Sequence, residues 1–304
     1  MPPPLALRRL LCTGRPAPGG RPLCTSPSPP SVPLFLSDLS SAGSPAPGTP
    51  VVFVHGLLGS GTNFRSIALH PSIRTGRRVL ALDLRNHGRS PHVPGASSLS
   101  ALAADVESAL GASLGAGTPC TLVGHSLGGK VAALVALRAR AALARLVVVD
   151  IAPVAYAPRD AQWGAVARVV RAAAELDPSA YPSRAAIDAA LALSVPDAGM
   201  RSFVGQNLLM GEGGRYSWRC NLPALLASLP EFAAFPPAPA PCALPAHFIR
   251  GELSSYISEE RDGPAIRALF PAAQVHTVQG AGHWIHADRP KEFTALLAGL
   301  LSEG

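Results

Sequence analysis

The rhythm of apolar and polar positions along this chain changes twice, and the changes mark out its architecture. From residue 33 onward, short apolar runs alternate with stretches of helical spacing. Pro33–Leu39, Val51–Val54, Arg78–Leu84, Cys120–Val123, Leu146–Ile151, His247–Arg250 and Gln274–Val278 read as strands. Val51–Val54 is apolar without alternation, as a strand buried on both faces must be. Ala101–Leu114, Ser126–Ala139 and Lys291–Leu301 read as helices, the last closing the chain. Strands separated by helices predict an α/β fold, with a mostly parallel central sheet flanked by helices on both faces.

Between residues 152 and 245 that alternation stops. Trp163–Leu176, Ser183–Leu193 and Ala198–Met210 have helical spacing, and Trp218–Arg219 reads as a short extended piece. Phe235–Pro245 (FPPAPAPCALP) is a proline-rich return linker. The pattern predicts a core built from 33–151 and 246–304, with a helical cap and its return linker, 152–245, inserted after the strand that ends at Asp150. The cap is expected over the C-terminal strand ends. No internal repeat is evident.

Composition narrows the classes. Of the 304 residues, 48% are hydrophobic and 15% charged, enough for a large buried core. No apolar run reaches the roughly 18–20 residues of a membrane-spanning helix. The net charge of +7 is concentrated at the start: Arg8, Arg9, Arg15 and Arg21 all precede the first acidic residue, Asp38. Setting those four aside reduces the 26 basic residues to 22, against 19 acidic ones. With only two lysines, Lys130 and Lys291, no basic stripe remains for nucleic acid. The Arg-bearing, acid-free segment 1–32 has the composition of a mitochondrial presequence, so the expected location is the mitochondrial matrix. Cys120, Cys220 and Cys242, which lie beyond it, show neither disulfide nor metal-ligand spacing.

The chemistry is carried by four motifs. Gly124-His125-Ser126-Leu127-Gly128 lies between a strand and a small-residue helix, the context of a nucleophile elbow with Ser126 as nucleophile. His55-Gly56-Leu57-Leu58-Gly59 follows the Val51–Val54 strand, where the backbone N–H of Leu57 can join that of Leu127 in holding an oxyanion. His283, in the loop Gly280–His283 after the last strand, is placed to act as the base, with His286 the competitor. Two positions compete for the acid: Asp150, at the end of the strand after the elbow, and Glu252 in Gly251–Tyr256, where serines occupy the commoner acid slot. Asp150 is the assignment, Glu252 the alternative. Asp83 precedes Ser126 and is expected to order its own loop, and His55, His87 and His125 to be structural hydrogen-bonders. The order Ser126, Asp150, His283 is that of the α/β-hydrolase fold. A metal or organic cofactor is not needed for such a site.

Cap side chains supply an apolar guest site. The expected pocket comprises Leu58, Tyr156, Phe203, Leu208, Trp218, Tyr256 and Trp284, with an acyl ester as occupant and medium or longer chains preferred to acetate. Dehalogenases and epoxide hydrolases of this fold carry Asp at the elbow, so Ser126 speaks against both.

HGLLGSGTNF, DLRNHGRSPH, GHSLGGK, VVVDIAPVAY and GAGHWIHADRP together resemble the family of the α/β-hydrolase domain-containing protein eleven, mitochondrial serine hydrolases, and its bacterial esterase relatives. The likeness spans roughly residues 33–303. It implies an acid on the strand after the elbow, where Asp150 stands. It further implies mitochondrial residence, hydrolysis of acylglycerol or other esters with diacylglycerol among the substrates, and association with the lipoylated 2-oxoglutarate dehydrogenase complex. A protective binding role toward such a complex, and thioester hydrolysis on the same triad, are the alternatives.

Overall fold

A computed structural model describes residues 31–40, 47–138, 141–157, 160–238 and 240–302. The leader read over 1–32 lies outside the described residues apart from its last two positions. Val32 is half-buried against the core, and its N–H donates to Asp105 Oδ1 at 2.8 Å.

Among the described residues, nine strands form two sheets: β1 (Leu36–Asp38), β2 (Gly48–Val54), β3 (Arg77–Leu82), β4 (Cys120–His125), β5 (Leu143–Val149), β6 (Leu208–Met210), β7 (Tyr216–Trp218), β8 (Ala246–Gly251) and β9 (Ala273–Val278). The large sheet runs β1-β3-β2-β4-β5-β8-β9, with β1 antiparallel to β3 and every other pairing parallel. This is the α/β-hydrolase fold expected from the sequence.

Because side chains alternate across a strand, each central strand feeds two cores. Val52, Val54, Leu122, Leu146 and Val148 point to the face covered by the Leu99–Leu114 and Leu127–Arg138 helices. Val51, Phe53, Val123, Val147 and Val149 point to the other, where Phe64, Ile67, Phe293 and Leu297 cover them. The Leu127–Arg138 helix is buried on every side up to Arg138, which explains why its sequence is nearly all apolar. Its one interior charge, Lys130, is 2% exposed and donates to the carbonyls of Phe232, Ala233 and Ala234 at 2.8–3.0 Å. Those groups close the last cap helix, so the ammonium fills the place of a helix C-cap and ties the cap to the nucleophile's helix.

The cap leaves the sheet after β5 and returns at β8, which pair side by side with Val149 opposite Ile249. It contains helices Ala161–Glu175, Arg184–Ala192, Ala198–Gly205 and Leu222–Ala233, plus the β6–β7 hairpin. Two expectations change here. The helix read over Ala198–Met210 ends at Gly205, because Asn207 is drawn into tertiary hydrogen bonds and Leu208–Met210 pairs with β7. The Leu222–Ala233 helix went unread because Pro223 and Pro230 punctuate it. Pro223 sits in the first turn, where its missing N–H costs nothing, and Leu222, Leu225, Leu229 and Phe232 bury one face.

Arg85 and Asp105 form a fully buried bidentate pair, 2% and 0% exposed, with Nη2–Oδ1 at 2.7 Å. Removing one partner strands an uncompensated charge. Asp105→Ala is therefore expected to lower unfolding free energy by about 3–5 kcal/mol, read as a shift in the urea midpoint at unchanged m-value. A loss under about 1 kcal/mol would contradict that account.

Candidate active site

The site gathers at the C-terminal ends of β2, β4, β5 and β8 and in the loop after β9. Ser126 sits where β4 passes into the Leu127–Arg138 helix, in the left-handed region at φ 52°. Its N–H donates to Val149 O at 2.9 Å, and its carbonyl accepts from Gly129 N at 2.8 Å. Such a turn needs glycine on both sides. A Cβ on Gly124 would lie 2.2 Å from the Gly128 oxygen, and one on Gly128 would lie 2.4 Å from the Val54 oxygen. The second contact is the close approach of the elbow to the strand that carries the His55–Gly59 loop.

Asp150, fully buried, also has positive φ, at 52°. Its Oδ1 accepts from Gly251 N at 3.0 Å, and its Oδ2 accepts from His283 Nδ1 at 2.7 Å and from the Ser254 hydroxyl. With Nδ1 turned to the carboxylate, Nε2 is the ring nitrogen left to receive a proton. The Tyr256 ring stacks on the imidazole, centroids 4.1 Å apart, and His125 Nε2 donates to the His283 carbonyl at 2.9 Å. Ser126 and His283 line one cavity of about 210 Å³. Glu252, the alternative acid, is exposed and takes the Gly280 N–H at 2.8 Å. His286 shares the cavity but packs its ring against Phe64 and His125, and burial pushes its pKa down to about 4.

Ser254 is the residue that sequence reading missed. The signal was present in Gly251–Tyr256, where serine occupies the commoner acid slot, yet its hydroxyl supports the Asp150 carboxylate instead of replacing it.

Leu57 and Leu127 both line the cavity beside Ser126. Leu127 is the first residue of its helix, so its N–H has no intrahelical acceptor and sits at the positive end of the dipole. In the neighbouring loop, Gly59 N–H donates to Gly56 O at 3.0 Å, which places Leu57 and Leu58 at the corners of a turn. Two buried histidines hold the surroundings. His55 Nε2 accepts from Leu84 N at 2.9 Å, and its Nδ1 donates to Gly56 O at 2.7 Å. His87 Nε2 accepts from Leu58 N at 3.1 Å, and its Nδ1 donates to Arg85 O at 2.9 Å. Burial drives His55 down to about 4 and His87 to about 3, so both rings stay neutral and keep one acceptor nitrogen. Asp83 orders its own loop by accepting from Arg89 N at 2.8 Å, and ties it to the loop after β2 by accepting from Gly61 N at 2.7 Å.

The cavity wall is apolar on its cap side. Leu58, Phe203, Tyr256 and Trp284 line it, as does one face of the Ala161–Glu175 helix, where Gln162, Ala165, Val166 and Val169 follow i, i+3, i+4, i+7 spacing. Tyr156, Leu208 and Trp218 do not line it, contrary to expectation. The Tyr156 hydroxyl is turned inward, donating to Tyr256 O at 2.7 Å and accepting from Ala152 N at 2.9 Å. Leu208 and Trp218 face each other across the β6–β7 register, outside the cleft, with Leu208 beside Arg184 and Trp218 Nε1 donating to Leu176 O at 3.0 Å. No cluster of three or more His, Cys, Asp or Glu side chains able to hold a metal occurs among the described residues.

Residues 51–296 match the family model described as "Alpha/beta hydrolase family". The mouse protein named sn-1-specific diacylglycerol lipase ABHD11 is 44% identical over 255 residues, covering 83% of this chain and 80% of its own. Esterase YbfF of Escherichia coli is 34% identical over 243 residues, covering 80% and 89%. A solved structure titled "Marine microorganism esterase" superposes with a TM-score of 0.81 at 31% identity, covering 88% of this chain and 99% of that one.

Proposed function

The chain belongs to the alpha/beta hydrolase family and is a carboxylic ester hydrolase, and from that premise we propose that it cleaves lipid esters of the acylglycerol type through Ser126, His283 and Asp150. The observation that carries the proposal is the Asp150–His283 bond at 2.7 Å, which holds His283 on the wall of the same apolar cavity as the strained Ser126.

Chemistry follows from these positions. Ser126 Oγ attacks the ester carbonyl carbon while His283 Nε2 takes the hydroxyl proton. The carbonyl π electrons move onto oxygen, and the N–H groups of Leu57 and Leu127 receive that charge. Asp150, buried and bonded to His283 Nδ1, stabilises the imidazolium and fixes its tautomer. The tetrahedral intermediate collapses, the imidazolium protonates the departing alkoxide, and the alcohol leaves an acyl-Ser126. Water then repeats the sequence with His283 as base, releasing the acid.

Substrate preference follows from the wall. Trp163, Val166, Val169, Met200, Phe203 and Phe232 offer an acyl chain an apolar surface, worth about 0.8 kcal/mol per buried methylene. The printed name of the mouse relative supports glycerol as the alcohol part. The Arg-bearing start of the chain supports mitochondrial residence.

A series of p-nitrophenyl esters tests the assignment. Catalytic efficiency is expected to rise by about fourfold per methylene from acetate toward medium chains. A fluorophosphonate probe is expected to label Ser126. An optimum at acetate would refute the lipid-ester reading, and an unlabelled Ser126 would refute the nucleophile.

A further inference from the structure

Among the described residues, Leu58 is one of four non-glycine residues with positive φ, at 61°. Ser126 and Asp150 are two of the others, and each carries a group of the proposed reaction. Leu58 occupies the third position of the Gly56–Gly59 turn, a position that ordinarily calls for glycine or asparagine. Something must hold a leucine there. Two hydrogen bonds do so, one on each of its peptide groups. On the core side, His87 Nε2 accepts the Leu58 N–H at 3.1 Å. On the cap side, Asn207 Nδ2 donates to Leu58 O at 2.8 Å.

Asn207 is 4% exposed and is itself fixed on several sides. Its backbone N–H donates to Val204 O at 2.9 Å, and its carbonyl accepts from Arg219 N at 2.7 Å. The Cys220 thiol donates to its Oδ1 at 2.9 Å, and burial pushes that thiol's pKa up to about 12, so it remains a donor. With Oδ1 accepting from the thiol, Nδ2 is the atom turned to Leu58.

We propose that Asn207 is a positioning residue through which the cap sets the oxyanion loop: by gripping Leu58 O it holds the left-handed turn that aims the Leu57 N–H at the reacting carbonyl oxygen. This rests on the reading of Leu57 as an oxyanion donor. The reaction's charge-binding group is then built jointly by core and cap. The cap contributes to rate as well as to the acyl pocket.

The test compares wild type with Asn207→Ala, steady state on a medium-chain p-nitrophenyl ester. Loss of one oxyanion donor costs on the order of 100-fold, and misaiming one costs less, so kcat is expected to fall about 10- to 50-fold. KM should stay within about threefold, because the ground-state carbonyl gains little from that N–H. A merely structural Asn207 would alter stability or KM and leave kcat in place. Leu58→Gly supplies the rescue arm, since glycine takes φ near +60° freely. In the Asn207→Ala background it is expected to restore kcat by about threefold or more. Wild-type kcat in Asn207→Ala, a loss confined to KM, or no gain from Leu58→Gly each overturns the proposal. Should Asn207→Ala not fold, Cys220→Ala, which removes the thiol that holds Oδ1, is read instead. A several-fold drop in kcat at constant KM supports the role, and full kcat overturns it. Failure of the hydrolase reading looks different: wild type itself would then leave the ester intact and Ser126 unlabelled.

Discussion

Replacing Ser126 with alanine is expected to lower kcat by about 10⁵-fold or more while leaving a folded protein. The two halves of that statement have separate causes. The elbow is held through backbone groups, the Ser126 N–H on Val149 O at 2.9 Å and the Ser126 carbonyl on Gly129 N at 2.8 Å, and both survive the substitution. Alanine at φ 52° bears the same Cβ crowding that serine already bears. What disappears is the hydroxyl oxygen proposed to bond the acyl carbon. Circular dichroism and the melting temperature should match wild type. Retention of more than about a hundredth of wild-type kcat would mean that another group attacks the ester.

The second large effect is expected at Asp150→Asn, about 10⁴-fold in kcat. Both carboxylate oxygens accept hydrogen bonds: Oδ1 from Gly251 N, Oδ2 from His283 Nδ1 and the Ser254 hydroxyl. An asparagine amide has one acceptor and one donor end, so neither orientation fits. With the NH₂ toward His283, Nδ1 must become the acceptor, and the ring carries its proton on Nε2, the wrong nitrogen for a base. With the NH₂ toward Gly251, donor faces donor in a fully buried site. Asp150→Asn with more than about a tenth of wild-type kcat would move the acid elsewhere, and the chain's own alternative, Glu252, lies exposed and bound to Gly280 N.

The sheet and the elbow were legible because they obey local rules. Continuous apolar runs gave the parallel strands, and the glycine spacing around Ser126 answered to backbone oxygens that a Cβ would meet at 2.2–2.4 Å. The motif resemblance agrees with the family match over residues 51–296. The cap was legible only as a helical region. Its proline-bearing helix, Leu222–Ala233, is stabilised by a buried face and by Lys130 at its C-terminus, both tertiary facts that no local propensity encodes. The pocket was half legible for a related reason. Apolar spacing shows that a helix such as Ala161–Glu175 has a buried face, whereas the choice between cleft and packing depends on the partner it meets. Thus Phe203 reaches the cavity while Trp218 closes on Leu176 and Leu208. Asn207 has no signature at all, since it acts through one carbonyl 149 residues away.

The cap leaves and rejoins the sheet on neighbouring strands, which makes 152–245 look like a cassette that recombination or an engineer could trade between relatives. Several hydrogen bonds join cap to core, Tyr156 to Tyr256 O and Asn221 to Asn86 among them, and two bear directly on such an exchange. A donor cassette must bring carbonyls to meet the Lys130 ammonium and an amide to meet the Leu58 oxygen. A chimera lacking the second would acquire its new acyl preference and turn over slowly, and restoring a single asparagine opposite Leu58 would be the repair.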